Sequence, residues 1–528
     1  MQHLDASCAK RYDNLSSLRT TYLERARDAA KLTIPSLVPE EGHTESSRLR
    51  TPYQGVGARG VNNLASKLLL SLLPPNSPFF AMRLDDFTIQ ELAQSDGARA
   101  KVDEALNKYE RAVMTEIENS GMRSPIFEAL KQLIVAGNVL LYLPPDGGAR
   151  VFPLSRYVVI RDPMGEVIEV IVKETMSRET LPEDIKKLIA KKDNDLPSEQ
   201  NNEDKDEINL YTKMYRKDNK YHLYQEIDGK VVPDSQGKYP LNKAPMLPLR
   251  WTRIDGENYG RSYVEEYMGD LMSLEGLSKA ILEASAVAAK VVFMVAPNGT
   301  TRARDIAKVD NGGIVSGNAA EVSTLSIDKQ ADMSIAYQTT STITERLSFA
   351  FLMNSSIQRQ GERVTAEEVR YMAGELEDAL GGVYSILSQE FQLPMVNRII
   401  DRMTKKKKLP PLPKGVANPT IVTGLEALGR GHDMNKYQMF LNALAPLGPE
   451  AVGQFMNVND YIKRVGTALG IDMDGLIKSE EQLQQEQQQA AEMQQQQQMN
   501  EMAKAATGPV AKEAAAGIRE AVAGSEEE

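Results

Sequence analysis

The clearest hydrophobic pattern in the chain lies between residues 358 and 393, where a polar loop is followed by a long helical repeat. Apolar residues recur there at steps of three and four, which places them on one stripe of a helix. They are Val369, Met372, Ala373, Leu376, Leu380, Tyr384, Leu387 and Phe391. Thr365 and Glu368 form a capping box at the start. The pattern predicts one helix from Thr365 to Leu393 that can bend at Gly381-Gly382 and at Pro394.

Similar patterns predict several helices before this one. The predicted ranges are Leu15 to Leu32, Ile89 to Glu118, Tyr263 to Lys290 and Ala331 to Met353, and a further helix opens with Pro125 at its first position. In the first helix, Leu15, Leu18, Tyr22, Ala26 and Ala29 are expected on one side. The helix from Tyr263 has many glycines and alanines, which allow close backbone approach either around a symmetry axis or in an ordinary bundle.

Apolar runs predict strands in the first half of the chain. The segment Val135 to Pro144 leaves a helix through Gly137 and continues as a buried strand, and two alternating runs flank the turn Asp162 to Gly165. The other predicted strands are Ile208 to Arg216, Tyr221 to Ile227, Met246 to Arg250, Val291 to Val295 and Ile314-Val315. The charged residues Lys191 to Asp206 predict a surface loop. The fold class is therefore α+β, and mostly α-helical.

Gly55, Gly57 and Gly60 form a literal G-x-G-x-x-G, the fingerprint of a dinucleotide-binding site. Such a site needs a hydrophobic strand immediately before the first glycine, whereas residues 45–54 are mostly polar. The segment continues from Val61 with apolar residues at helical spacing. We therefore expect a helix and keep a nucleotide-binding oxidoreductase only as the disfavoured alternative.

Composition narrows the class of protein. A chain of 528 residues is too long for one core and predicts several domains. The single cysteine, Cys8, excludes an intramolecular disulfide, and four scattered histidines do not predict a metal site. The longest apolar run, Leu68 to Leu73, is far below the ~20 residues of a membrane span, and the N-terminus does not resemble a signal peptide. We expect a protein made in the cytoplasm.

The sequence does not contain the motif of a P-loop, of a zinc protease or of a nucleophile elbow. Paired carboxylates such as Glu367-Glu368 are explained by helix starts, where negative charge is favourable. We therefore predict that the protein is not an enzyme and has no cofactor. The net charge of −11 argues against tight nucleic-acid binding, which depends on Lys and Arg, but is compatible with DNA that slides past.

Several stretches, in the same order up to about Glu480, resemble the portal proteins of short-tailed, podovirus-type bacteriophages. They are Val56 to Gly60 with Asn62 to Leu68, Val135 to Pro144, parts of Gln358 to Glu390, Thr423 to Ala427 and Gly429 to Gly431. The resemblance implies a ring of twelve copies at the unique capsid vertex. Double-stranded DNA would pass through this ring during genome packaging and ejection.

The resemblance also implies a domain order. It assigns 1–260 to an α+β wing, 261–290 to a first stem helix, 291–330 to a clip, 331–353 to a second stem helix, 354–364 to a tunnel loop, 365–404 to a long kinked channel helix and 405–478 to a crown. The Gln- and Ala-rich residues 479–528 would form a C-terminal barrel helix if the copies pack together, or a tail if they do not.

Three groups of candidate site residues follow. The tunnel loop would contribute Gln358, Arg359, Gln360, Gly361, Glu362 and Arg363. An acidic channel wall, to which DNA would not adhere, would contain Glu367, Glu368, Glu375, Glu377 and Asp378. The clip would dock partners through Asn298, Arg302, Arg304, Asp305 and Asn311. Arg359 and Arg363 would either touch DNA phosphates or pair with carboxylates of this or a neighbouring subunit.

The implied partners are further copies of the chain, the DNA, the terminase large subunit, a tail adaptor, the major capsid and scaffolding proteins and internal core proteins. The implied location is the portal vertex of the virion, with synthesis in the bacterial host and no membrane contact. The basic run Lys405 to Lys408 is either a solvated helix end, where cations are favourable, or a DNA contact. A helical scaffold unrelated to DNA is a further alternative.

Overall fold

A computed structural model describes residues 7–44, 46–74, 78–84, 98–177, 186, 207–288, 293–310, 312–324, 330–353, 380–410, 417–421, 442 and 493. The chain divides into two compact units, residues 1–429 and 430–528. Asn442 and Met493 are the described residues of the second unit, so the architecture below is that of the first.

The α-helices are α1 (Cys8–Lys31), α2 (Val56–Leu72), α3 (Ala98–Asn119), α4 (Arg123–Ala136), α5 (Tyr263–Glu266), α6 (Met268–Ala288), α7 (Ala303–Ile306), α8 (Gln330–Ala350) and α9 (Leu393–Lys405). Residues 380–387 are also helical and lead through a π-helical turn, Ser388–Gln392, directly into α9. Short 3-10 turns lie at Pro35–Leu37, Leu154–Arg156, Leu241–Lys243 and Ala319–Glu321.

The strands are β1 (Phe80–Leu84), β2 (Asn138–Tyr142), β3 (Arg150–Pro153), β4 (Tyr157–Arg161), β5 (Val167–Ser177), β6 (Glu207–Lys217), β7 (Lys220–Ile227), β8 (Lys230–Val231), β9 (Gly237–Pro240), β10 (Met246–Arg250), β11 (Phe293–Val295), β12 (Val322–Thr324) and β13 (Ala417–Ile421). The largest sheet has the order β4-β5-β6-β7-β8, with β9 also on β7; the others are β10-β2-β3, β1-β13 and β11-β12. The pairings that the structure describes are antiparallel. The first unit thus mixes helices with antiparallel sheets, as the α+β class predicts.

Helix α1 begins at Cys8, seven residues before its predicted start, because the Ser7 side chain caps the first turn. The prediction that Leu18 lies on the buried side is wrong, since Leu18 is 58% exposed. The buried stripe passes through Arg19 instead, and its guanidinium donates a hydrogen bond of 2.7 Å to the Tyr157 carbonyl. A hydrophobic pattern cannot identify a buried residue that is charged.

Helix α4 ends at Gly137, whose φ of 71° turns the chain into β2 as predicted. A Cβ atom here would lie 2.5 Å from the carbonyl carbon of Arg261, so only glycine fits. The Gly137 carbonyl accepts a hydrogen bond of 2.9 Å from the Trp251 N–H, which joins this turn to the end of β10. The predicted helix start is wrong by two residues: α4 begins at Arg123, and Pro125 is third in a first turn whose N–H groups have no helical partner.

The predicted hairpin is confirmed as β4 and β5, and the predicted strands β6, β7 and β10 are confirmed with it. Within the hairpin turn, the Asp162 N–H donates to the Glu166 carbonyl at 2.9 Å. Side chains cover the outer edge of β4: the Tyr259 hydroxyl accepts from the Val159 N–H, and the Asn258 side chain accepts from the Arg161 N–H. These contacts occupy N–H groups that an edge strand would otherwise offer to another strand. The predicted loop 191–206 lies outside the described residues.

Helices α6 and α8 pack against each other and form an arm, with residues 293–324 at its end. The single helix predicted from Tyr263 is broken, because the Tyr267 N–H bonds back to Val264 only three residues earlier and so separates α5 from α6. The strand predicted at Ile314-Val315 is wrong. Strand β11 pairs with β12 instead, and Ile314 is 98% exposed in the loop that follows Gly312-Gly313.

We expect Gly137→Ala to lower the free energy of unfolding by about 2–5 kcal/mol, since it adds a clash to the cost of a positive φ. Gly148→Ala is the matched control, because Gly148 has a φ of 67° but its added Cβ would meet nothing closer than 3.9 Å. The control should lose only about 1–2 kcal/mol. Thermal and denaturant midpoints measure both variants, and equal losses would contradict the clash at Gly137.

Candidate functional site

The last turn of α8 is the point where the chain leaves the arm for residues 354–379, the segment that holds the predicted tunnel loop and acidic wall. This turn is a Schellman motif, in which the Met353 N–H donates to Ser348 at 2.8 Å and the Leu352 N–H donates to Phe349 at 3.0 Å. Leu352 has a φ of 53°, a left-handed conformation that usually requires glycine. The chain therefore leaves α8 through an unfavourable backbone conformation.

Helix α2 supplies donors for the carbonyl groups at this end of α8. The Asn63 side-chain amide donates to the carbonyls of Phe351 at 2.9 Å and Leu352 at 3.0 Å. The Lys67 ammonium, in a residue that is 6% exposed, donates to the same Leu352 carbonyl at 2.8 Å. The last carbonyls of a helix have no intrahelical partner and carry partial negative charge, so an amide and a cation are suited to this position.

Gly60 lets α2 approach the same turn closely. A Cβ atom at Gly60 would lie 2.6 Å from Cγ of Phe351, and one at Gly57 would lie 2.5 Å from the Leu32 carbonyl oxygen. Two glycines of the G-x-G-x-x-G motif thus serve packing inside the fold. The helix predicted for this motif is confirmed as α2, and the described residues between 46 and 55 contain no strand of the kind that a dinucleotide site needs.

The far end of the segment also rests on α2. The Tyr384 hydroxyl donates to the Ser71 carbonyl at 3.0 Å and lies 2.9 Å from the Ser71 hydroxyl. One turn further, the Gln392 side chain, fully buried in the π-helical turn, donates to the Leu72 carbonyl at 2.7 Å. The predicted buried stripe is confirmed for Leu380, Tyr384, Leu387 and Phe391. The predicted bend near Pro394 corresponds to the π-helical turn immediately before α9.

These contacts define a row on one face of α2, which we call the anchor row: Gly60, Asn63, Lys67 and Ser71. Their spacing of three, four and four residues aligns them along one side of the helix. The sequence analysis missed the row because it looked for apolar positions. The signal was present as an asparagine and a lysine close to Leu64 and Leu68, which are fully buried.

An ion pair ties the same helical region to the sheet. Arg250 of β10, 2% exposed, pairs with Glu390 of the π-helical turn. The neighbouring Arg161 donates to the carbonyls of Gly165, Pro248 and Asn258. Burial lowers the pKa of Arg161 to about 10, and Glu390 opposes this shift, so the guanidinium stays charged at neutral pH. Removing one partner of such a pair leaves a buried charge uncompensated, which costs more than the pair contributes.

The basic run at the end of α9 is partnered within the protein. Lys405 pairs with Asp401 at 2.8 Å and Lys408 with Glu116 at 2.7 Å, while the Lys406 ammonium donates to the Asp146 carbonyl. This arrangement matches the interpretation of the run as a solvated helix end.

The clip residues that the structure describes lie together on an exposed surface. Arg302 precedes α7, which carries Arg304 and Asp305, and Asn298 lies in the preceding turn; all four side chains are exposed. Asn311 lies outside the described residues. So do the six predicted tunnel-loop residues, Gln358 to Arg363, and the acidic-wall residues Glu367, Glu368, Glu375, Glu377 and Asp378.

Glu321 organises the clip, and the sequence analysis did not identify it. Its carboxylate accepts a hydrogen bond of 2.8 Å from the Thr301 N–H and two weaker ones from the Thr300 hydroxyl. The Thr301 hydroxyl, in turn, accepts from the Asn318 N–H at 2.8 Å. The bond from the Thr301 N–H is the main reason that the pKa of Glu321 lies below its ordinary value.

The arrangement is suited to holding chain segments in place rather than to bond-breaking chemistry. Among the residues that the structure describes, no group of three or more His, Cys, Asp and Glu side chains could hold a metal ion. Membrane-spanning length and apolarity were not found in any helix of the described ranges.

A family model with the description "Bacteriophage head to tail connecting protein" matches residues 5–477. The chain is 43% identical to the portal protein of Escherichia phage T7 over 480 residues, which are 90% of this chain and 88% of the relative. It is 31% identical to the portal protein of Enterobacteria phage SP6 over 512 residues, 96% of each chain. A solved chain from the neck of an empty GTA particle, computed with C6 symmetry, is 12% identical and covers 74% of this chain and 86% of its own length. Its TM-score of 0.36 is too low to support a conclusion about fold or assembly.

We expect the Glu321 contact to weaken with acid. Because its pKa is lowered in the folded protein, the stabilisation is present above the ordinary carboxyl pKa and is lost as the pH falls through the lowered value. At pH 7, Glu321→Gln should speed hydrogen–deuterium exchange of residues 298–302, after correction for intrinsic rates. The difference from the wild type should disappear in acid.

Asp310→Asn is the control, since Asp310 is an exposed carboxylate of the same small unit. It should leave the exchange of residues 298–302 unchanged. A difference between Glu321→Gln and the wild type that persists in acid would show that the charge of Glu321 is not what holds this loop.

Proposed function

The chain belongs to the bacteriophage head to tail connecting protein family, and on this premise we propose that it is the subunit of a portal ring through which double-stranded DNA enters and leaves a capsid. The observation that carries the proposal is the 43% identity to a portal protein over 90% of this chain. The ring would contain about twelve copies at one capsid vertex. We propose no catalytic activity for it.

The domain order expected from the sequence is part of the proposal. Residues 1–260 would form the wing, 261–290 and 331–353 the two stem helices around the clip at 291–330, and 354–364 the tunnel loop. Residues 365–404 would form the kinked channel helix, 405–478 the crown and 479–528 a terminal barrel or tail. The π-helical turn before α9 supports the kink, because such turns interrupt the regular helical ladder.

The arm supports contact between copies. The buried residues of α6 end at Leu274 and those of α8 begin at Ile343, so the described outer halves of both helices bury no side chain within one copy. Apolar side chains there are nevertheless more than half exposed: Leu282, Ile335 and Tyr337, with Met272 and Phe349 nearer the base. An exposed apolar surface of this kind marks a protein interface. Gly276 faces open space, which leaves room for a neighbouring helix.

The channel is proposed from the segment between α8 and residue 380. Its two ends are fixed to α2, so the tunnel-loop residues Gln358 to Arg363 and the acidic wall would stand at a defined place on each copy. A ring repeats every charge around its axis, and a chain of net charge −11 gives an acidic assembly. DNA would then pass without tight binding, because counterion release on phosphate binding needs cations.

Partners are proposed by family membership. The clip surface around Arg302 and Arg304 would dock the terminase large subunit during packaging and a tail adaptor afterwards. The wing would contact the major capsid, scaffolding and internal core proteins. The location would be the portal vertex of the virion, after synthesis in the bacterial cytoplasm.

Native mass spectrometry of the purified protein, combined with two-dimensional class averages, tests the proposal. We expect a closed ring of about twelve copies with a central hole wider than duplex DNA, which is ~20 Å across on the scale of its grooves. A ring without such a bore would indicate a scaffold unrelated to DNA. A monomer or dimer that binds NAD would instead favour an oxidoreductase that uses Gly55, Gly57 and Gly60.

We expect Ile335→Asp to prevent ring formation, because it would place a charge in the proposed contact between copies, where desolvation is costly. Leu18→Asp is the matched control, since Leu18 is equally an exposed aliphatic side chain on a helix but lies on α1. Native mass spectrometry should show subunits or short oligomers for the first variant and rings for the second. Normal rings from Ile335→Asp would remove the arm from the interface.

A further inference from the structure

We propose that Asn63 and Lys67 of the anchor row are positioning residues for DNA passage: they fix the direction in which the chain leaves α8 and thereby the conformation of residues 354–379. This inference rests on the proposed function, because it takes that segment to line the DNA channel. Neither residue is required to touch DNA. Both act through the backbone carbonyls of Phe351 and Leu352.

The first argument is the conformation of Leu352. A leucine with a φ of 53° is at a position where most helices place glycine, and an L-residue with a Cβ is disfavoured there. The Asn63 amide and the Lys67 ammonium both donate to the carbonyl of this residue. The left-handed turn is therefore stabilised from outside α8, by α2, and it loses two donors if α2 no longer provides them.

The second argument is the place of the row. Ser71, on the same face, holds Tyr384 at the other end of the segment. Asn63 and Ser71 are eight residues apart, or about 12 Å along α2 at 1.5 Å per residue. The two ends of a 26-residue segment, 354–379, are thus fixed close together on one rigid helix. A change in the conformation of the segment has to take place between these two fixed ends.

The third argument distinguishes positioning from simple support of the core. The fully buried residues of α2, among them Val61, Leu64, Ala65 and Leu68, already supply an apolar face, and α2 contacts α4 as well as α8. Asn63 is only half-buried, and its two bonds are made to the exit turn of α8. Loss of its amide removes those bonds and leaves the apolar face intact.

The test uses the assembled wild-type protein and two independent variants, Asn63→Ala and Lys67→Met. Asn62→Ala is the matched control, because Asn62 is the neighbouring asparagine on the exposed face of the same helix. Hydrogen–deuterium exchange is measured on peptides from residues 354–379 and, for comparison, on peptides from α2 and from the outer half of α8. We expect Asn63→Ala and Lys67→Met to form rings and to speed exchange in 354–379 by roughly fivefold or more, as the loss of a hydrogen bond would. Asn62→Ala should match the wild type.

The functional readout is DNA retention in particles that carry each variant. We expect a larger fraction of packaged DNA to become accessible to nuclease with Asn63→Ala and Lys67→Met than with Asn62→Ala, at equal numbers of particles. Unchanged exchange and unchanged retention would overturn the inference while leaving the proposed function intact. Failure of both variants to assemble would also overturn it, because the row would then support the arm as a whole. Absence of rings in the wild type would instead remove the proposed function itself.

Discussion

The carbonyl groups at the end of α8 need donors, and one face of α2 provides them. A helix leaves its last four carbonyls without intrahelical partners, and burying them unpaired costs free energy. Here Tyr263 donates to the Ala350 carbonyl, and Asn63 and Lys67 donate to the next two. This contact requires close approach of the two helices, which Gly60 permits. The base of the arm, the exit of the chain and the return of the channel helix therefore share one support.

Buried charges fix the orientation of the surrounding elements. Glu169 of β5 accepts from both Arg11 of α1 and the fully buried Lys213 of β6, which joins the first helix to the sheet. Arg250 and Glu390 join β10 to the π-helical turn in the same way. Buried pairs of this kind contribute little net stability, but losing one partner is expensive. Their effect is to exclude alternative arrangements of the helices on the sheet.

Much of the first unit was predictable from residue patterns. Alternation identified β4 to β7, and the glycine at 137 identified the exit from α4, because apolar periodicity and positive φ are encoded locally. Helix boundaries were less accurate. The start of α1 depends on the Ser7 cap, and the break at Tyr267 depends on backbone bonding that no periodicity records. Ile314 was assigned to a strand because it is β-branched, but the pairing of β11 with β12 leaves it in a loop.

The site was less predictable than the fold, since its residues act through partners that are distant in sequence. Asn63 and Lys67 contact a turn almost 290 residues away, and Glu321 contacts a loop 20 residues away. A polar residue inside an apolar stripe indicates that it has a buried partner, but the sequence does not say which. The acidic wall and the tunnel loop were named from family resemblance, and they remain predictions.

The uncovered outer half of the arm has a consequence for how a ring would close. An open row of copies leaves one flank bare at each of its two ends, whatever its length. Closure covers both flanks in a single step, so a ring of n copies has n contacts where an open row has n−1. Incomplete assemblies therefore carry a fixed penalty that only the last subunit removes. The angle between the two flanks of one arm, rather than the strength of any contact, would determine how many copies fit.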